Sequence, residues 1–202
     1  KLTTPGQNAA FGFTVPEGRR VSATLAPASF DGPVDFSITY AGGNAVPSAS
    51  DTVTTGDTGF IDVPRVLGAG SYTLVVSPQG TTKGSGTVRL FGVEDQAGTI
   101  ATDGPPQEVK LTTPGQNAAF GFTVPEGRRV SATLAPASFD GRVEFSIVDA
   151  GGKVVPRGSD ALGAGETGFI DAAGPLSAGS YKVVVNPQGT TQGTGTVKLN
   201  AA

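Results

Sequence analysis

Apolar and polar residues alternate one by one along much of this chain. Phe11 and Phe13 alternate with Gly12 and Thr14, and Val21, Ala23 and Leu25 alternate with Ser22 and Thr24. Val34, Phe36 and Ile38 are interleaved with Asp35 and Ser37. Tyr72, Leu74 and Val76 follow, then Val88 and Leu90. Successive side chains of a strand point to opposite faces, so a period of two predicts strands with one face buried. Turn residues separate these runs: Pro16-Glu17-Gly18, Asp31-Gly32, Gly42-Gly43, Gly68-Ala69-Gly70 and Pro78-Gln79-Gly80. No apolar stripe recurs at helical spacing. The expectation is an all-β protein built as an antiparallel sandwich or barrel.

The pattern is written twice. Residues 1–32 and 110–141 are identical, and the register runs on without a gap. Phe36 matches Phe145, Phe60-Ile61-Asp62 match Phe169-Ile170-Asp171, and Tyr72 matches Tyr181. Between 1–91 and 110–200, 66 of 91 positions are the same. The offset of 109 residues is too long for a solenoid repeat and suits a small autonomous domain. Two tandem sandwich domains are therefore expected, 1–95 and 96–202, each burying its own core.

Residues 92–109 lie between the matched blocks, and two readings are open. Thr99–Ala101 and Gln107–Leu111 can form leading strands of the second domain. Each complete domain would then begin near Gln96, and the first would lack that piece because the chain opens at Lys1. Alternatively, 96–109 is an acidic, proline-bearing connector. No leader-like segment opens the chain, which reads as a mature fragment.

Composition narrows the function. Gly (31) and Pro (15) are abundant, as many short strands and turns require. The net charge is −3 with no basic patch, which argues against nucleic acid as a partner. No run approaches the ~18 apolar residues of a membrane span, which argues against membrane insertion. Cys, His, Met and Trp are all absent. The absent Cys and His remove the thiol nucleophile, the usual general base and the commonest metal ligand together, so an enzyme is not expected.

The order of strand motifs resembles a known family. TTPGQNAAFGFTVPEGRRVSATL resembles the opening of the bacterial pre-peptidase C-terminal (PPC) domain, where an F-x-F strand leads through a turn into a second strand. DGPVDFSI resembles its central strand, GAGSYTLVV and SAGSYKVVV its A-G-x-Y strand, and SGTVRL and TGTVKL its closing strand. The resemblance implies a jelly-roll-like β-sandwich appended to secreted or surface proteins. Some relatives bind calcium and a fibrous ligand such as collagen. This chain has three Tyr and no Trp, so no aromatic platform is apparent. The acid of the central strand is Asp35 in one copy and Glu144 in the other.

Few residues suggest chemistry. Gly163-Ala164-Gly165-Glu166-Thr167-Gly168 matches G-x-G-x-x-G, but no helix follows to meet a pyrophosphate, so a loop is expected. The carboxylate pairs Asp31 with Asp35 and Asp140 with Glu144 are weak calcium candidates. Asp51, Asp57 and Asp62, mirrored by Asp160, Glu166 and Asp171, add acidic positions. The plainer reading is that Asp31 and Asp140 cap Asp-Gly turns and the rest are solvated. Arg19, Arg20, Arg128 and Arg129 are expected at a turn edge, either solvated or in local ion pairs with Glu17 and Glu126. Phe30 and Phe139 are expected to plug the core. No catalytic, cofactor or metal residue is assigned.

The function expected is a non-catalytic extracellular or cell-surface module, acting as a spacer or display array beside other domains of a larger protein. The alternative is a binding module for collagen, a polysaccharide or a cell-wall glycan, with calcium assistance.

Overall fold

A computed structural model describes residues 1–26, 29–135 and 138–201. Their regular structure is all strand, sixteen in order, and no helix long and apolar enough to cross a membrane is found among them. The chain divides into two compact units, Lys1–Val93 and Glu94–Ala202, the boundary falling two residues ahead of the expected one.

The first unit contains β1 (Ala9–Val15), β2 (Arg20–Ala26), β3 (Val34–Tyr40), β4 (Ala45–Val53), β5 (Gly59–Asp62), β6 (Gly70–Pro78) and β7 (Thr87–Val93). They form two sheets, β1-β6-β3-β4 and β5-β2-β7. Apart from the β3–β4 hairpin, each connection crosses from one sheet to the other, so the alternating apolar faces meet in the middle. Leu25, Phe36, Ile38, Ile61 and Leu74 are fully buried there.

The second unit repeats this plan and extends it. Its strands are β8 (Gln96–Thr99), β9 (Gln107–Leu111), β10 (Ala118–Val124), β11 (Val130–Leu134), β12 (Val143–Asp149), β13 (Val154–Leu162), β14 (Gly168–Asp171), β15 (Gly179–Pro187) and β16 (Gly193–Ala201). The sheets are β13-β12-β15-β10-β8 and β14-β11-β16-β9. Strands β9 to β16 make an eight-stranded double sheet in jelly-roll order, and β8 is a ninth strand at one edge.

The 92–109 segment is thus no free connector. Gln96 N–H donates to Asn117 O (2.8 Å) and Ile100 N–H to Gly121 O (3.0 Å). Strand β9 pairs with β16 from Leu111↔Gly193 to Gln107↔Val197. Leu2 and Gly84, the counterparts of Leu111 and Gly193, form an isolated bridge in the first unit. Among the described residues, no strand of the first unit takes the places of β8 and β9.

Three details depart from the simple alternating, antiparallel expectation. First, β8 runs parallel to β10, in register Gln96↔Ala118 to Thr99↔Gly121. The chain reaches β10 from β8 only by way of β9 in the other sheet, so no hairpin forces the two to oppose. Second, β2 is buried on both faces: Ser22 and Thr24 are covered along with Val21, Ala23 and Leu25. Phe91 lies opposite Ser22, and Phe60 opposite Thr24, on the outer side. Third, β4 and β13 escaped the period-two reading. Their buried residues Val46, Ala49 and Val53 are spaced by three and four, because a bulge interrupts the pairing with β3. Ser48 (φ 59°) and its counterpart Arg157 (φ 55°) take the left-handed conformation at that irregularity.

One glycine pair fixes the closing strands. Gly84 (φ 144°) and Gly193 (φ 140°) sit where a Cβ would lie 2.4 Å from Ser29 O and 2.5 Å from Ser138 O. Only glycine gives both that backbone angle and that approach.

Candidate functional site

The acidic candidates are spread among separate structural duties. Asp31 Oδ1 accepts the Lys83 N–H (2.6 Å), and Asp140 Oδ1 accepts the Gln192 N–H (2.7 Å). Each thereby staples its Asp-Gly turn to the loop before the closing strand. Phe30 and Phe139, one residue earlier, are buried as core plugs. Asp35 Oδ1 accepts from Thr52 Oγ1 (3.0 Å) and Gln79 Nε2 (2.9 Å) on the outer face of β3. Glu144 lies in a shallow depression of about 570 Å³ on the outer face of β12 and β13, with Ser146, Ser159, Asp160 and Asn186.

Asp160 in that depression is committed to backbone. Its Oδ1 accepts the Ala161 N–H (2.8 Å) and its Oδ2 the Phe169 N–H (3.0 Å). Asp51 makes the same two bonds in the first unit, to Thr52 N–H (2.8 Å) and Phe60 N–H (2.9 Å). These aspartates clamp the β4–β5 and β13–β14 connections, where the chain crosses from one sheet to the other. Asp57 bonds Thr54 Oγ1, and Glu166 Oε2 accepts the Gly163 N–H (2.7 Å). The Gly163–Gly168 motif is therefore the loop that crosses from β13 to β14 in the other sheet, without a helix to cradle a phosphate. Among the described residues, no group of three or more His, Cys, Asp or Glu is placed to hold a metal ion. A calcium ion takes 6–8 oxygen ligands, and Asp31, Asp35, Asp140 and Glu144 do not converge to supply them.

Arg20 and Arg129 pair across the sheet, with Asp62 and Asp171, where a solvated turn edge or a local pair with Glu17 and Glu126 was expected. Arg20 Nη2 reaches Asp62 Oδ1 at 2.7 Å and its Nε donates to Val63 O at 3.1 Å, with the side chain only 7% exposed. Arg129 Nη2 reaches both oxygens of Asp171, at 2.8 and 2.9 Å. Strands β2 and β5 place these residues side by side, a neighbourhood that a local reading of the turn misses. Their recurrence at a constant offset in both copies is the signal that could have found them.

An aromatic cluster belongs to the first unit. Phe13 stacks on Tyr72 with centroids 5.8 Å apart, and Tyr40 packs on Tyr72 at 5.7 Å. Arg65 Nη2 donates to the Tyr40 hydroxyl (2.7 Å), and Tyr40 is partly exposed. The second unit keeps the Phe122–Tyr181 stack but has Asp149 and Gly174 in place of Tyr40 and Arg65.

The largest difference between the units lies along one flank. Phe11 is 50% exposed whereas Phe120 is 3% exposed, and Leu90 is 40% exposed whereas Leu199 is 0%. In the first unit these residues border a groove of about 470 Å³, with Phe13, Leu74 and Val88 at its floor and sides. Among the described residues, strands β1 and β7 each pair on one side only, with β6 and β2. In the second unit β8 and β9 take up the other side.

No protein-family model and no curated protein sequence matches the chain. Among solved structures it is similar to a periplasmic inhibitor of g-type lysozyme, PliG from Aeromonas hydrophila. That match has a TM-score of 0.34 at 15% identity and covers 54% of this chain and 100% of that one. The CUB1-EGF-CUB2 region of human MASP-1/3 matches with a TM-score of 0.28 at 10% identity, over 100% of this chain and 95% of that one. A serum fucolectin of striped bass, Morone saxatilis, matches with a TM-score of 0.29 at 13% identity, over 98% and 83%. Likeness at this level carries no argument about activity or ligand.

Proposed function

We propose that the chain is a pair of non-catalytic repeats acting as a spacer or display array within a larger secreted or surface protein. One observation carries the reading. The segment between the matched blocks is used up as strands of the second sandwich, so only Glu94 and Asp95 separate β7 from β8. Even these two are tied down: Glu94 O accepts from Gln116 Nε2 (2.9 Å) and Asp95 Oδ1 from the Asn117 N–H (2.9 Å). A chain that builds its connector into the next domain can be lengthened by copying without adding loose linker. The near-identity of the two blocks suits a role that needs copies more than distinct sites. The resemblance to PPC domains agrees with this role and with an extracellular location.

The test is to display an epitope from a cell-surface anchor through one, two or three copies of the 94–202 block. Antibody access should rise with copy number and be indifferent to substitution of Glu144. Access independent of copy number would overturn the spacer role.

A second reading, a polymer-binding module, is favoured by Tyr40 with Arg65, a partly exposed ring beside a cation. It predicts saturable binding of the chain to collagen or a cell-wall glycan that is lost in Tyr40→Ala. The spacer reading predicts none.

A further inference from the structure

We infer that the open flank of the first unit is a docking site for an extended strand–turn–strand polypeptide segment with the chemistry of residues 94–109. The argument is that the receptor surface occurs twice and is covered once. Residues 1–32 and 110–141 are the same sequence, so β1 and β10 present the same side chains and backbone. In the second unit that surface is filled by β8, which runs along β10, and by β9, which runs along β16. Ile100 and Val109 of the segment are buried in the common core there. In the first unit the matching positions leave Phe11 and Leu90 open to solvent and the edges of β1 and β7 unpaired on that side. An edge strand flanked by exposed apolar side chains is a template for a further strand.

The geometry of the second unit specifies the occupant. Its first strand must run parallel to β1 and carry glycine opposite Phe11. At Gly98 a Cβ would lie 3.1 Å from Phe120 Cδ1, so the ring leaves little room for more. An aliphatic residue must follow two positions later, as Ile100 does. After the Gly-Pro-Pro turn at 104–106, the second strand must run antiparallel to β7 and set a valine opposite Gly86, as Val109 sits opposite Gly195. Leu2 already holds the last position of that strand through its two bonds with Gly84 (2.8 and 2.9 Å). The docked segment would end where Lys1 begins. This inference goes beyond the spacer role, and its failure would leave that role untouched.

The experiment uses the full chain and a synthetic peptide of residues 94–109. Amide hydrogen exchange is followed over residues 83–91, which differ from the second unit at 83, 85, 89 and 91 and are therefore assignable. Saturating peptide should slow exchange of these amides by about tenfold or more. The Ile100→Asp peptide should have no effect. The same 94–109 segment fused ahead of Lys1 removes the association cost and should protect residues 83–91 at any concentration. Unchanged exchange in both formats would overturn the inference. So would protection by the Ile100→Asp peptide. Protection that grows with chain concentration in the absence of peptide would assign the flank to a whole second copy and equally overturn it.

Discussion

Phe11 and Phe120 are the same residue in the same 32-residue sequence, yet one ring is half in solvent and the other is core. Nothing within the shared block accounts for the difference. The cover over Phe120 comes from residues 94–111, which lie largely outside that block. Burial here is a property of what is packed on a strand, and a period-two pattern reports only which face is meant to be covered. At about 25 cal/mol per Å², leaving half of one Phe and two-fifths of one Leu exposed forgoes about 3–4 kcal/mol in the first unit. The second unit should therefore be the more stable of the two.

Substitutions at matched positions can break that comparison. The largest effect is expected where the units agree. Phe36 and Phe145 are both fully buried at the centre of β3 and β12. Phe36→Ala and Phe145→Ala should each cost ~3–5 kcal/mol, confined to their own calorimetric transition. A cost near zero in either would mean that the ring lies outside the core it is assigned to.

Next come the flank rings themselves. Phe120→Ala should cost ~3–4 kcal/mol in the second transition, and Phe11→Ala about 1.5–2 kcal/mol in the first, in proportion to the area each ring removes from water. Equal costs would show that Phe11 is covered in solution, and the contrast between the flanks would collapse.

Much of this was legible in the sequence, for identifiable reasons. β1, β2, β3, β6 and β7 announce themselves because each alternates in step with its sheet. β4 does not, because the left-handed Ser48 shifts the phase of Val46, Ala49 and Val53, and Pro47 and Ser50 dilute the strand. β8 reads Gln-Ala-Gly-Thr, with no bulky apolar residue, because glycine is what fits against Phe120. Its parallel course follows from three-dimensional order alone. Among candidate groups, a structural duty for Asp31 and Asp140 at Asp-Gly turns was readable, although the turn reading placed their donors nearby and the structure places them 52 residues on, at the Lys83 and Gln192 N–H groups. The Arg20–Asp62 and Arg129–Asp171 pairs were not, because their partners are 42 residues apart and meet only through strand pairing.

Those pairs sharpen the comparison at a smaller scale. Arg20 is enclosed and bonded to both Asp62 and a backbone carbonyl, whereas the Arg129 side chain is 45% exposed. Removing one partner of a covered pair strands the other, whereas an exposed pair is screened by water. Arg20→Met should therefore cost about 2–3 kcal/mol and Arg129→Met under about 1 kcal/mol, read as shifts of urea midpoint at constant slope. The reverse order would place the enclosed pair in the second unit.

The smallest expected effect is a gain. Phe169 is 59% exposed, while its counterpart Phe60 is partly covered. The two rings stand at the same place on the outer face, opposite Thr133 and Thr24. Two neighbours beyond the central strand differ: Arg89 and Phe91 lie opposite Thr24 and Ser22 in the first unit, and Lys198 and Asn200 lie opposite Thr133 and Ser131 in the second. A ring at 200 would stand on the same face as Phe169, on the far side of β11 and over Ser131. Asn200→Phe should let the two rings cover each other and the serine beneath, stabilising the second unit by about 0.5–1 kcal/mol. The reciprocal Phe91→Asn should cost the first unit a similar amount and expose Phe60. Both shifts are small enough to need urea titrations on the same day with matched slopes, since a changed slope would report altered compactness instead. If Asn200→Phe leaves the midpoint where it was while Phe91→Asn lowers it, Phe60 owes its cover to Phe91 but Phe169 is held away from the ring at 200. The outer faces would then differ in backbone geometry as well as in their side chains.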